Sequence, residues 1–217
     1  MKKLMVSGAL ALALTSSAVV AEESGAFVGL DLGISNAVMT QEMTVSWNGN
    51  TNTLIDKTTS VGNFRYGLMG GYKWFFTESF GLRTYLQVNN GTNYSPIEET
   101  HVSISTLNVM ANVDALYNFY TSEQSSAGLF AGLSFGYAIH YGDTVDAMTA
   151  GGLKDPSGFD MGINLGLRTI FAKHHGVEFF NRFGVVGASA TTEQSGDEIK
   201  MSILQPYAFG VRYTYNF

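Results

Sequence analysis

The feature that most constrains this chain is a two-residue alternation of apolar with polar or small side chains, which recurs along most of its length. In residues 64–76, for example, one face carries aromatic and aliphatic side chains and the other carries Arg65, Gly67 and Lys73. Successive side chains of a β-strand point to opposite sides, so strict alternation is typical of a strand whose two faces meet different surroundings. The sequence therefore predicts an all-β protein.

Eight segments show this alternation: 27–35, 64–76, 80–89, 107–119, 128–140, 159–171, 177–186 and 200–217. Most are 9 to 17 residues long, whereas a strand of a soluble protein usually has about 5–6 residues. A tilted strand needs about 9–11 residues to cross a bilayer. One face of each segment is almost wholly apolar, with exceptions such as Gly70, Asn181 and Gln205. In the last segment Met201 and Ile203 share this apolar face, which we assign to the outside. Length and pattern together favour strands that span a membrane.

The connections between these segments alternate in length. The short ones are 77–79, 121–126 and 172–176, and the longer, polar ones are 37–63, 90–101, 141–158 and 189–199. A soluble β-sandwich would have connections of mixed length, whereas outer-membrane barrels have short periplasmic turns and longer extracellular loops. We therefore predict an eight-stranded antiparallel transmembrane β-barrel, an up-and-down meander with both chain ends in the periplasm.

The first 21 residues have the three parts of a secretory signal. Lys2 and Lys3 precede an apolar run over 4–14, and small residues follow up to Ala21. The run is shorter than the about 20 residues that a membrane-spanning helix needs, so an uncleaved anchor is the less favoured alternative. We predict cleavage after Ala21 and a single barrel domain over 22–217.

Composition excludes several classes of protein. The chain has no cysteine, which rules out a disulfide scaffold and a cysteine zinc site. After removal of Lys2 and Lys3 it carries ten basic and eighteen acidic residues. A nucleic acid needs a basic binding surface, so we expect no nucleic acid partner.

Aromatic, glycine and proline positions agree with a barrel. Most strand glycines fall on the polar face, where a narrow eight-stranded interior favours small residues. Pro206 has no N–H for a strand ladder, so we expect a bulge there or a strand that starts after it. The aromatic residues near strand ends predict an interfacial girdle on the periplasmic side. They are Phe27, Tyr72, Trp74, Phe76, Phe80, Tyr117, Phe119, Tyr120, Tyr213, Tyr215 and Phe217.

With these features the chain resembles the small eight-stranded outer-membrane barrels, the family that includes the OmpA membrane domain and OmpX. The sharpest element of the resemblance is the C-terminus, where Tyr213, Tyr215 and Phe217 alternate with other residues as in the signal read by the barrel assembly machinery. The opening residues 24–33 also resemble the first strand of Helicobacter-type outer-membrane proteins. The resemblance covers about 22–217 and implies outer-membrane lipids and lipopolysaccharide as surroundings.

The polar faces of the predicted strands carry six basic and four acidic residues. They are Asp31, Arg65, Lys73, Arg83, Asp114, Asp160, Arg168, Glu178, Arg182 and Arg212. Charges held away from bulk water must be paired. We therefore predict a lumenal charge network that plugs the barrel, with an ion pathway as the alternative.

The long connections are strongly acidic. Their acids are Glu42, Asp56, Glu98, Glu99, Asp143, Asp146, Asp155, Glu193, Asp197 and Glu198, against Lys57, Lys154 and Lys200. Such a rim is either simply solvated or binds cations or a basic host surface. The favoured hypothesis is a monomeric structural and surface-interaction protein without a cofactor, which makes contacts through 37–62 and 141–158. A small passive channel is the alternative.

Two histidine motifs could indicate chemistry. His101 and Ser103 open the fourth segment and resemble part of a lipid A deacylase site, but the next strand offers no acid of matching parity. A nucleophile–base pair needs a third group to orient the base, so we do not expect an enzyme. His174 and His175 are adjacent in a short turn, where two neighbouring histidines are poor joint metal ligands. We predict a solvated turn and no metal site.

Overall fold

The computed structural model describes residues 22–47, 50–93, 104–194 and 197–217. In chain order the elements are β1 Gly25–Trp47, β2 Asn50–Phe75, β3 Phe80–Asn93, β4 Ser105–Thr121, β5 Ser126–Tyr141, α1 Asp143–Ala150, β6 Gly158–Phe171, β7 His175–Val186, β8 Ala188–Gln194, β9 Asp197–Leu204 and β10 Tyr207–Asn216. Among these residues no helix is long and apolar enough to cross a membrane. The predicted signal, 1–21, lies outside the described residues.

Eight of the strands close into a ring. Strands β1 to β7 pair antiparallel with their neighbours in chain order, and β10 pairs with both β7 and β1. The closing ladder runs from Phe27 opposite Asn216 to Ser35 opposite Ala208. Closure pairs the edges that an open sheet would expose. The predicted eight-stranded antiparallel barrel is confirmed.

The two faces of the ring differ in chemistry as the alternation requires. Outward side chains such as Leu30, Leu68 and Leu86 are more than half exposed, whereas their strand neighbours are buried inside. The predicted girdle residues are exposed, except for Phe27, which is 2% exposed and faces inward. Placing Phe27 in the girdle was wrong because it shares the parity of the inward residue Asp31.

The two ends of the ring also differ. The tight connections 76–79, 122–125 and 172–174 lie at one end together with Phe217, and we call this the short-turn end. At the opposite, long-loop end, β1 and β2 continue as a hairpin past the ring, and residues 38–45 of β1 pair with β9. β8 pairs with β9. Residues 37–47, 50–62, β8 and β9 thus form a four-stranded outer sheet.

The outer sheet corrects the prediction of loops at 37–63 and 189–199. Both stretches contain β-branched side chains, such as Thr40 in the first and Thr191 and Thr192 in the second, which suit strands. The β1–β2 and β8–β9 hairpins pair locally, and the two hairpins join through residues more than 150 apart along the chain, as in Met39 opposite Ile203. The predicted loop 141–158 contains the helix α1.

The last predicted segment is interrupted at Gln205 and Pro206. β9 ends at Leu204 and β10 begins at Tyr207, which confirms the prediction of a strand that starts after Pro206. Met201, Ile203 and Gln205 are buried inside, and the inward series resumes at Ala208. The sequence-based assignment of 201, 203 and 205 to the outer face was wrong, because the break adds one residue and reverses the alternation.

An apolar cluster fills the inside of the outer sheet. Ala37, Met39, Ile104 and Ile203 are buried there, and Met148 of α1 packs against them. The helix therefore covers apolar side chains on the inner side of the outer sheet. The interior nearer the short-turn end is instead lined by charged and polar groups.

Candidate functional site

The ten charged residues singled out from the sequence all lie inside the ring, and each is at most 5% exposed. Strand register brings several of them side by side: Lys73 is opposite Arg83, and Arg83 is opposite Asp114. They form ion-paired groups at successive levels of the lumen.

The central group is built around Arg83. Its Nη2 lies 2.9 Å from Asp114 Oδ2 and donates to Glu178 Oε2 at 3.0 Å, and its Nη1 also pairs with Glu178. Arg212 Nη1 lies 3.8 Å from Glu178 Oε2 and donates to the Tyr85 hydroxyl at 3.3 Å. Two guanidinium groups and two carboxylates therefore balance one another across the barrel.

Aromatic rings inside the lumen flank these guanidinium groups. The Arg212 Cζ lies 4.3 Å from the centroid of the Phe180 ring, and the Arg83 Cζ lies 4.7 Å from that of Phe130. Such stacking contributes about 2 kcal/mol where water is excluded. The rings occupy space between charged groups, so this level of the lumen is filled by side chains.

A second group lies toward the long-loop end. Arg65 Nε is 3.4 Å from Asp31 Oδ1, and Gln87 donates to Asp31 Oδ2 at 2.7 Å. Arg182 pairs with Asp160 and donates from Nε to Ser134 Oγ at 2.8 Å. Each carboxylate at this level therefore has a cationic partner.

Neutral amides follow the charged groups toward the apolar cluster. Asn108 donates to Asn89 Oδ1 at 3.0 Å, and Gln205 donates to Asn108 Oδ1 at 3.3 Å. Asn89 and Asn108 lie opposite each other on neighbouring strands, whereas Gln205 lies between β9 and β10, so the bond from Gln205 to Asn108 crosses the interior. The contents of the barrel thus change from charged to neutral to apolar along its length.

The central group requires a glycine on the facing strand. A Cβ atom at Gly132 would lie 2.2 Å from Asp114 Oδ1 and 2.2 Å from the Val113 carbonyl oxygen. No side chain fits at those distances. Gly132 therefore gives the Asp114 carboxylate the room it needs to face Arg83.

The structure adds one charged residue that the sequence analysis missed. Glu22 precedes β1 and is 2% exposed in the lumen at the short-turn end. Lys73 Nζ donates to its Oε1 at 2.9 Å, and Arg168 pairs with the same oxygen. Ser126 Oγ and Asn118 Nδ2 donate to its Oε2 at 3.0 and 3.2 Å. Glu22 supplies the carboxylate that Lys73 and Arg168 otherwise lack among the described residues.

Its surroundings keep the Glu22 carboxyl ionised. Burial alone raises its pKa, but the charges of Arg168 and Lys73 outweigh burial and lower the pKa to about 2. Because folding lowers this pKa, the contact stabilises the fold fully at any pH above the usual pKa of a glutamate. That stabilisation is lost as the pH falls toward 2. Mild acid therefore leaves the contact intact.

Several predicted residues have other outcomes. His101 and Ser103, with the nearby Glu98 and Glu99, lie outside the described residues. Over the described ranges, no group of histidine and acidic side chains could hold a metal ion. His174 Nδ1 lies 2.7 Å from the Asn216 carbonyl oxygen, so this turn is tied to β10. The C-terminal residues Tyr213, Tyr215 and Phe217 are exposed on the outside of the barrel.

Comparisons with known proteins agree with this architecture. The family model described as Helicobacter outer membrane protein matches residues 67–217. No curated protein matches the sequence. The outer membrane protein OprG of Pseudomonas aeruginosa is structurally similar, with 11% identity and a TM-score of 0.51 over 90% of this chain and 97% of that one.

Two further solved structures share less of the geometry. Neisserial surface protein A has 17% identity and a TM-score of 0.38, over 87% of this chain and 97% of that chain. The N-terminal β-barrel domain of Pseudomonas aeruginosa OprF has 13% identity and a TM-score of 0.36, over 85% of this chain and 99% of that chain.

Proposed function

Because the chain belongs to the Helicobacter outer membrane protein family, we propose that this outer-membrane barrel has a lumen closed by ion pairs and acts through the acidic residues of its long-loop end. In this proposal the short-turn end faces the periplasm and the outer sheet faces the cell exterior, as in other outer-membrane barrels. The exposed aliphatic belt contacts membrane lipid, the long-loop end lies among lipopolysaccharide, and the barrel assembly machinery recognises Tyr213, Tyr215 and Phe217.

The contents of the lumen support closure. An eight-stranded barrel has an interior just wide enough for its own side chains. Here Arg83, Arg212 and Glu178 meet at its centre, with the rings of Phe130 and Phe180 packed against the guanidinium groups. A hydrated ion would have to separate these pairs to pass. This is the observation on which the non-conducting proposal depends.

The charges of the outer sheet support a surface role. Glu42 lies directly opposite Asp56 on one side and Lys200 on the other, and Glu193 lies directly opposite Glu198. Like charges directly opposite across strands are unfavourable. The Glu42–Asp56 and Glu193–Glu198 pairs lie on the same face of the outer sheet. Glu198 and Lys200 have the same parity on β9, and Lys200 lies opposite Glu42. A basic partner would relieve this repulsion, so we propose a basic host surface as the ligand.

The proposal predicts that neutralising this face weakens binding of a basic ligand. We expect a variant with Glu42→Gln, Asp56→Asn, Glu193→Gln and Glu198→Gln to bind a fluorescent lysine-rich peptide roughly tenfold more weakly on intact cells at low salt. Four surface charge contacts at about 0.2–1 kcal/mol each give an effect of this size. Titration of the peptide against cells that display equal amounts of each variant measures it.

The chain offers a matched control at its other end. Glu78 and Glu123 are exposed acids in the short turns, so Glu78→Gln with Glu123→Gln should leave peptide binding to intact cells unchanged. High salt should reduce the difference between the outer-sheet variant and the parent. Equal binding by the parent and the outer-sheet variant would contradict the surface role, and weaker binding by the control variant would contradict the orientation.

A further inference from the structure

The receptor around the Glu22 carboxylate is built by the barrel wall. Lys73 lies on β2, Asn118 on β4, Ser126 on β5 and Arg168 on β6. Their polar atoms converge on two oxygen atoms of a residue that belongs to no strand. The wall provides the hydrogen-bond donors, and the short segment before β1 provides only the acceptor.

These donors also contact one another and so are held in place. Arg168 Nη1 donates to Asn118 Oδ1 at 2.9 Å. The guanidinium carbon of Arg168 and the ammonium nitrogen of Lys73 lie 5.8 and 6.0 Å from the centroid of the Phe75 ring. Side chains fixed by contacts other than those with Glu22 lose less conformational entropy when they bind an acceptor.

The receptor has more positive charge and more donors than one carboxylate uses. Two cations, Lys73 and Arg168, face the single carboxylate of Glu22. Within the described part of the chain, the Arg168 Nε has no hydrogen-bond partner, although the side chain is only 3% exposed. A buried donor without an acceptor is unfavourable because it has lost its hydrogen bonds to water. Surplus charge and a spare donor are features of an anion-binding site.

We infer that the short-turn end of the lumen contains a binding site for a small oxyanion of the carboxylate class, that Glu22 is its built-in occupant, and that a free carboxylate takes its place when the Glu22 side chain is absent. This inference deepens the proposed function, because it says how that end of the closed lumen is sealed. Lys73 and Arg168 neutralise the anion, while Asn118 and Ser126 orient its second oxygen.

Attachment to the chain favours Glu22 over any free anion. The backbone N–H of Phe75 donates to Ser24 Oγ at 2.8 Å, which ties the segment before β1 to the end of β2. Tethering gives the Glu22 carboxylate a high effective concentration at the receptor. A free carboxylate therefore competes poorly in the parent protein and binds only when the tethered one is removed.

The test is chemical rescue of a Glu22→Ala variant purified from outer membranes. Truncation at Cβ removes the carboxylate and leaves space for acetate or formate. We expect the variant to unfold at a lower temperature than the parent, because Lys73 and Arg168 then lack their anion. Acetate should raise the midpoint of its heat-modifiable gel shift with a saturable dependence on concentration, since a ligand that binds only the folded state stabilises it.

Two matched variants separate binding from a general salt effect. Glu23 is exposed beside Glu22, so Glu23→Ala should leave the midpoint unchanged with or without acetate. Adding Lys73→Met to Glu22→Ala should abolish the acetate response. Sodium chloride at equal ionic strength should not substitute for acetate. The parent protein should respond to neither salt.

If acetate and formate leave the gel-shift midpoint of Glu22→Ala unchanged relative to chloride, the proposal of an anion site is overturned. A rise of equal size in the parent would overturn it as well. Neither result would bear on the outer-sheet proposal, which peptide binding to cells tests separately.

Discussion

Replacing Arg83 with methionine should destabilise the barrel more than any other single charge removal in the lumen. The Arg83→Met variant leaves Asp114 without its ion-pair partner and leaves Glu178 with only the more distant Arg212. Removal of one partner from a buried ion pair typically lowers the free energy of unfolding by about 3–5 kcal/mol. Urea unfolding in detergent micelles, followed by far-UV circular dichroism, measures the change.

A second substitution tests whether unpaired charge is the cause. Adding Asp114→Asn to Arg83→Met removes one of the abandoned carboxylates and should recover part of the lost stability. The exposed Lys154 provides the control, because Lys154→Met should change the free energy of unfolding by no more than about 0.5 kcal/mol. A double variant no more stable than Arg83→Met would contradict the charge explanation.

Introducing a methyl group at Gly132 should prevent the lumen from packing. The Cβ atom of a Gly132→Ala variant would lie 2.2 Å from both the Asp114 carboxylate and the Val113 backbone oxygen. The backbone oxygen cannot move without disturbing the ladder between β4 and β5, and the carboxylate cannot move without disturbing its pair with Arg83. Overpacking of this kind lowers the free energy of unfolding by about 1–3 kcal/mol or more. The heat-modifiable, folded fraction in extracted membranes should fall sharply.

The control for this variant lies on the outer sheet. A Cβ atom at Gly62 would have no neighbour within 4 Å, so Gly62→Ala should leave the folded fraction unchanged. The two variants introduce the same methyl group and differ only in what it meets. Equal folded fractions for Gly132→Ala and Gly62→Ala would contradict the described packing around Asp114.

Strand parity explains why much of this molecule could be predicted from its sequence. A strand places every second residue on the same side, so Arg83 and Asp114 could be assigned to the interior before any partner was known. The tight connections also follow from local pattern, and the even number of strands with alternating connection lengths indicated a closed ring. The pairing of Arg83 with Glu178 could not be predicted, because it depends on which strands face one another across the barrel.

The errors have physical causes of two kinds. At Gln205 and Pro206 a single extra residue reverses the parity, so Met201 and Ile203 moved from the predicted outer face to the interior. In the stretches 37–63 and 189–199 local hairpins form, but the β1–β9 pairing that joins them connects residues more than 150 apart in sequence, and local pattern does not reveal it. Glu22 was missed because it precedes β1 and strand parity could not assign it to the interior, although six basic against four acidic residues in the lumen are consistent with a further anion there.

The central claim is that side chains close the lumen, and single-channel recording tests it most directly. The purified parent protein is reconstituted into proteoliposomes, which are then fused with planar bilayers. The heat-modifiable gel shift of protein recovered from the same proteoliposomes verifies that it is folded in the membrane. The account predicts no stable unitary currents from the parent protein, because the Arg83, Glu178 and Arg212 group blocks the path of a hydrated ion. Reproducible unitary currents of constant size from correctly folded parent protein would contradict it.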